Sequence, residues 1–277
     1  MATVSDKNCL MLTVVLLVPL VSSGCSALMP SSQLTSKMAG NGGPDMSARS
    51  VVVPTDNKSI PRQRYNSAGE KVPYVAQPNP YTTDTSAIPQ EAKTMYVAAS
   101  SMLSEGDLKG AHARFQQLTV KFPSLSGPWV QLGAIAEKNE DYDEAINLYE
   151  KAISVNKRNI NAYIALGLTQ RKQGNFSAAQ KTYLNALHVW KDFPEAHLDL
   201  AILYDLYVNN PVEAQKHYEA YYFLTGGKDE KVRKWLVEVR RRTGIESSFI
   251  DIPPNGIASV PNGNVVDDGK NTNEGPG

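Results

Sequence analysis

The stretch Trp129-Val130-Gln131-Leu132-Gly133, followed by Ala145, Tyr149 and Ala152, decides the fold. It recurs at an interval of 34 residues, so windows beginning at Ala92, Ser126, Ile160 and Pro194 align. Their fourth residues are Met95, Trp129, Tyr163 and His197, and their seventh are Ala98, Leu132, Leu166 and Leu200. The eighth is always small: Ala99, Gly133, Gly167 and Ala201. The twentieth is Ala111, Ala145, Ala179 and, after a slip of one residue, Ala214. The twenty-fourth is Phe115, Tyr149, Tyr183 and Tyr218, and the twenty-seventh is Leu118, Ala152, Ala186 and Tyr221, with the same slip in the last window. A small residue that returns in register with large aromatic ones describes two helices that meet closely in each unit. The large fourth and twenty-fourth residues are expected to fill the space between units. Gly106 and Gly174 fall where the two helices of a unit are joined. The slip is read at Val208-Asn209-Asn210-Pro211.

The pattern resembles the tetratricopeptide-repeat (TPR) family. The resemblance implies an all-α fold: a TPR-type helical solenoid of about four repeats (92–125, 126–159, 160–193 and 194–227). A C-terminal helix over 228–243 would cap it. Val232, Trp235, Leu236 and Val239 give that helix one apolar face. Its other faces carry Lys231, Arg233, Lys234, Arg240 and Arg241, with Lys228 and Arg242 at the ends. Two readings of this basic face stand. It keeps the end of the array wet, or it also meets an anionic lipid or acidic partner surface.

Upstream, Cys9–Val21 is one uncharged apolar run, too short for a membrane span of about 20 residues but of the length of a signal-peptide core. Ser22-Ser23-Gly24-Cys25 follows and resembles a bacterial lipoprotein signal. The resemblance implies cleavage before Cys25 and acylation there. With Ser26 next, it implies an outer-membrane lipid anchor on the periplasmic side of a Gram-negative envelope. Residues 1–24 are thus expected to be a signal peptide, and 25–91 a lipidated cysteine with a flexible, disordered linker rich in Ser, Pro, Asn and Gly. Within the linker, Val72-Pro73-Tyr74-Val75 and Tyr81 are either scattered aromatics or a segment that docks on the repeats. Residues 244–277 are expected to form a disordered tail. The formal net charge of zero conceals +4 on Lys228–Arg242 and −4 on the residues behind it. A hypothesis follows in which the tail screens the helix. The balance excludes a generically basic nucleic-acid binder.

No catalytic chemistry is legible. The sequence has no G-x-S-x-G, phosphate-loop or H-E-x-x-H motif. The reading is therefore non-enzymatic, with no cofactor and no metal site. His197 takes a repeat core position, while His112, His188 and His217 read as isolated residues of the second helices. What remains is binding. In the TPR family the first helix of each unit lines a concave face. Here that implies a largely apolar groove of Tyr96, Val130, Ala134, Ile164, Leu168, Leu198 and Ile202. Its rim would carry Arg171 together with Glu137, Lys138, Lys172 and Asp205. A protein partner, or the chain's own Val72–Tyr81, would occupy it. The expected function is a scaffold at the outer membrane that helps assemble an envelope complex such as a pilus or secretin. The alternatives are an accessory of a TonB/ExbB-like energised complex and an organiser of cell-wall enzymes.

Overall fold

Position fifteen of each unit sets where its two helices part. Gly106, Glu140, Gly174 and Asn209 occupy it, all with positive φ (88°, 62°, 79° and 53°). A side-chain cap begins the second helix in three of the four units. Asp107 accepts from Gly110 N–H at 2.8 Å, Asp141 from Glu144 N–H at 3.1 Å and Asn210 from Glu213 N–H at 3.2 Å. A computed structural model describes residues 55–83 and 88–254, and the signal-like run and Cys25 lie outside them. The helices are α1 (Gln90–Ser104), α2 (Leu108–Lys121), α3 (Gly127–Lys138), α4 (Tyr142–Val155), α5 (Ile160–Lys172), α6 (Phe176–Val189), α7 (Pro194–Ile202), α8 (Pro211–Leu224) and α9 (Glu230–Thr243). Units one to four are α1/α2, α3/α4, α5/α6 and α7/α8, and α9 closes the array on α8. Among the described residues no helix is long and apolar enough to cross a membrane.

The small eighth residue is a steric requirement. A Cβ built on Gly133 would lie 2.5 Å from the Tyr149 ring, and one on Gly167 would press as closely on Tyr183. Ala99 and Ala201 hold the same place in the outer units and are fully buried. The twenty-fourth residue therefore packs inside its own unit. It also reaches the next element, Tyr149 clustering with Leu166 of unit three and Tyr218 lying 5.8 Å from the Trp235 ring of α9, so the expectation that it fills the space between units holds in part. The fourth residue does serve the neighbour, since Trp129 packs on the core of unit one around Phe115 and Leu118.

The one-residue slip also lies elsewhere than the sequence indicated. After α7 the chain continues as a π-helical stretch, Leu203–Tyr207, in which Val208 N–H donates to Leu203 O at 3.0 Å. The extra residue is absorbed there, before the turn at Asn209. An inserted residue of this kind adds no Gly or Pro, so nothing in the sequence marks it.

The linker expectation is narrowed by a strap, residues 55–83, laid along units three and four. A short antiparallel hairpin, β1 (Arg64–Tyr65) with β2 (Lys71–Val72), stands in its middle. Thr55, Ser59 and Ile60 are buried, and Ile60 packs with Ala220 of α8 and with Ile250. Tyr74 donates to Asp192 at 2.5 Å and stacks edge-on with Phe223. Trp190 Nε1 donates to Gln77 O at 2.8 Å. The start of the expected tail is held too. Ser248 Oγ and Phe249 N–H donate to Glu219, and Tyr65 and Lys71 meet Asp251. Scattered single contacts of this kind leave no period in a sequence. The four strongly polar residues Glu213, Gln215, His217 and Glu219 of α8 are buried for the same reason: strap, tail, α7 and α9 surround the helix.

The imidazoles show how the strap is read. His197 and His217 are fully buried and joined Nδ1 to Nδ1 at 2.9 Å, so His217 is not isolated. Desolvation lowers His197 to about 4 and His217 well below its ordinary value, so both rings are neutral at pH 7. Lys191 O, 2.8 Å from His197 Nε2, can only accept. His197 Nδ1 is then bare and accepts from His217 Nδ1–H. His217 Nε2 in turn accepts the Thr55 hydroxyl at 2.8 Å. One directed chain runs from the strap through unit four to the α6–α7 loop.

Gly133→Ala and Gly167→Ala should each cost about 1–3 kcal/mol, because the Tyr ring must shift from a packed interface. Gly174→Ala should cost about 1 kcal/mol, since φ is 79° but a Cβ there would meet nothing within 4 Å. Urea denaturation followed by circular dichroism measures all three.

Candidate binding groove

The residues expected to line the concave face come from the first helices of all four units. Tyr96 lies on α1, Val130 and Ala134 on α3, Ile164, Leu168 and Arg171 on α5, and Leu198 and Ile202 on α7. All eight are half-buried, neither sealed in the core nor standing free. Ile164, Leu198 and Ile202 pack partly on the core of units three and four, and Val130 on that of units two and three. Tyr96 accepts from Gln131 Nε2 at 2.9 Å and meets Phe115 edge-on. The strip is continuous along the array and largely apolar. The strap's hydrogen bonds at Tyr74 and Gln77 run to Asp192 and Trp190, off this strip, while Tyr81 reaches it, its hydroxyl beside Gly127 and Tyr96 and its ring on the core that Ile164 and Leu198 also touch.

Of the rim charges, Glu137 and Lys172 pair with each other, Arg171 and Asp205 meet partners off the rim, and Lys138 is exposed outside any ion pair among the described residues. Glu137 accepts from Tyr149 at 2.9 Å, Thr169 at 2.7 Å and Lys172 at 3.0 Å. Burial pushes its carboxyl up, but the three donors prevail and its pKa is lowered. Asp205 accepts from Tyr218 at 3.2 Å and pairs with Arg242. Arg171 approaches Asp199 at 3.5 Å. Burial raises Asp199 to about 6 against the opposing pull of Arg171.

A rule across units emerges from these contacts. Position twelve supplies an acceptor for the hydroxyl at position twenty-four: Glu137 for Tyr149 and Asp205 for Tyr218. In unit one both places are apolar, Leu103 and Phe115. In unit three position twelve is Arg171, which has no lone pair to offer. The Tyr183 hydroxyl and Arg171 Nη1 are both buried without a hydrogen-bond partner among the described residues. Asp199 and the Tyr183 hydroxyl escaped sequence reasoning, although comparing position twelve across the windows would have found the odd arginine.

The basic face of α9 is less available than its sequence implies. Arg240 binds the buried Glu219 at 2.8 Å, and Arg242 binds Asp205. Arg233 and Arg241 pair with Glu230 and Glu238 at 2.7 and 2.8 Å on the same helix. Lys231 lies over the Trp235 ring at 4.7 Å, and Lys234 is exposed. Of the two tail acids within the described residues, Asp251 pairs with Lys71 of the strap and Glu246 is in no ion pair, so neither meets α9. No group of three or more His, Cys, Asp or Glu is placed to hold a metal among the described residues.

Family models agree with the helix pairs. One described as a TPR repeat matches residues 138–174, and one described as a tetratricopeptide repeat matches residues 164–227. No curated protein matches the chain. Solved structures that resemble it include MamA from Desulfovibrio magneticus RS-1 (16% identity, 57% of this chain and 88% of that one, TM-score 0.47). Another comes from a functional characterization of Pseudomonas aeruginosa pilF (15% identity, 55% and 69% coverage, TM-score 0.49). A third is TTC0263, a thermophilic TPR protein in Thermus thermophilus (22% identity, 55% and 82% coverage, TM-score 0.45).

Tyr149→Phe should cost about 1–2 kcal/mol, because it takes a donor from a carboxylate in a half-buried site. Tyr183→Phe should be neutral or slightly stabilising, because its hydroxyl is buried without an acceptor. Thermal melts of the two variants measure the contrast. The repeat register, the helix pairs and both family models agree that the helices from α1 to α8 form a tetratricopeptide-repeat array.

Proposed function

We propose that this chain is a non-enzymatic scaffold that a lipid on Cys25 holds at the periplasmic face of the outer membrane. There it helps assemble an envelope complex such as a pilus or secretin. Tetratricopeptide repeats are protein-interaction modules, and that coarser role follows from the fold. The observation that carries the reading is the continuous strip from Tyr96 to Ile202, half-buried and apolar, on four successive first helices. All its rim charges except Lys138 are already paired, so the strip favours an apolar helix or segment over a charged one. Binding of this kind should vary little with salt. The membrane anchor rests on the lipoprotein-like Ser22–Cys25, and the choice of complex rests on the order of signal, linker and repeats.

Leu168 and Ala134 are partly open and stand outside the packed core clusters, so they test the strip with little risk to the fold. Leu168→Glu with Ala134→Glu should abolish recovery of the crosslinked envelope partner while the helical circular dichroism is unchanged. Full recovery by the double variant would refute the groove. Separately, Cys25→Ser should move the protein from the membrane to the soluble fraction and remove acyl labelling. Unchanged fractionation and labelling would refute the anchor.

A further inference from the structure

A second groove, of about 1110 Å³, lies between α2 and α4. Trp129, Leu132, Glu144 and Leu148 line it. Two units further on, with allowance for the residue absorbed in the π-helical stretch, the same positions are His197, Leu200, Glu213 and His217. There the groove is filled by the chain itself. Thr55 N–H donates to Glu213 at 3.4 Å and the Thr55 hydroxyl to His217 at 2.8 Å. The turn Asn57–Ser59 rests on α6, and Thr55, Ser59 and Ile60 are buried. The array thus shows what this inter-unit groove accepts: a short segment that turns at Asn57–Ser59 and enters with the Thr55 N–H toward the carboxylate.

We infer that the groove between α2 and α4 is a second peptide-binding site, which takes a short, turned segment of a partner protein without net charge, as the equivalent groove takes Thr55–Ile60. Each difference between the two grooves specifies the occupant. Glu144 keeps the carboxylate, so a peptide N–H is again bound. Leu148 replaces His217, so the side chain beside it is apolar where the strap carries a hydroxyl. Trp129 replaces His197, and its Nε1–H is buried without a partner among the described residues. It is a donor only, so it calls for a carbonyl, which the segment's main chain supplies. At the rim, Lys121 is already paired with Glu91, while Val120 is 82% exposed. Arg114 and Glu144, one charge of each sign, also line the groove outside any ion pair among the described residues, so an occupant without net charge fits, and the exposed valine favours an apolar side chain. This site is separate from the concave strip, and neither requires the other.

The probe is a synthetic peptide with the sequence of residues 55–61 carrying Thr55→Val, Asp56→Asn and Lys58→Ala, acetylated and amidated at its ends. It is titrated into the full ¹⁵N-labelled chain while the indole N–H signals of Trp129, Trp190 and Trp235 are followed. The Trp129 signal should move alone and saturate with a Kd below about 1 mM. Glu144→Arg should weaken binding by about tenfold or more, because a hydrogen bond to a charged acceptor is lost. The same peptide with Thr at its first position should bind more weakly. Absence of a saturable shift, or an undiminished shift in Glu144→Arg, would overturn the inference. So would movement of Trp190, which reports displacement of the strap beside Gln77. A Trp129 shift that follows protein concentration without peptide would make a second copy of the chain the occupant, and would also overturn it.

Discussion

Helix A can meet helix B in this array only where the eighth residue has almost no side chain, and the remaining architecture depends on that approach. With glycine at 133 and 167, an aromatic ring lies directly on backbone, and the two helices of a unit become one rigid object. Units so built stack through their fourth residues and leave their first helices side by side. The concave strip is a consequence of this stacking. Its side chains are half-buried because each also rests on its neighbour. The same stacking gives the strip its rigidity, and a preformed apolar surface loses little entropy when it binds.

The polar contacts specify register where the apolar ones specify proximity. Glu137 is the clearest case. It takes donors from its own unit through Tyr149 and from the next unit through Thr169 and Lys172, so it locks the angle between units two and three. Between units three and four the locking pair is Arg171 with Asp199, at 3.5 Å and with the Tyr183 hydroxyl left over. A buried carboxyl held by one loose partner is a weaker lock than one held by three donors, which is why Asp199 is raised and Glu137 is lowered. The joint between units three and four is instead secured from outside, by the strap and by the return of residues 245–254 over α8.

How much of this was legible in the sequence depends on the range of each contact. Positions eight and twenty-four lie 16 residues apart in a repeated frame, so Gly133 with Tyr149 could be read by alignment alone. The capping helix was legible because one helix carries its whole apolar face. The strap was not, because Thr55 reaches His217 and Tyr74 reaches Asp192 across more than 100 residues with no repetition to expose the pairing. The imidazole pair was missed for a related reason. His197 and His217 occupy equivalent frames in no other unit, so nothing in the other windows announces them. The candidate strip falls between these cases: its residues follow from the repeat, but its paired rim charges do not, since Arg242 comes from α9 to meet Asp205.

Four polar residues of α8 are buried, and the strap helps account for it. In a solenoid the second helix of a unit ordinarily turns a face to water, so Glu213, Gln215, His217 and Glu219 read as surface residues of α8. Each is instead enclosed and paired: Glu213 with Lys216 and Thr55, Gln215 with Thr243 and Ile245, and Glu219 with Arg240, Ser248 and Phe249. Burial of charge on this scale is tolerable only when every partner is in place, because a carboxylate left without its donor in such a site is strongly destabilising. Strap, tail and cap therefore form a mutually dependent set around α8. Tyr81 of the strap reaches Gly127 in unit two, but no described residue of strap or tail lines the α2–α4 groove, which remains open to a segment from outside. One repeat design thus yields two surfaces with different fates, closed where the chain returns upon itself and receptive where it does not.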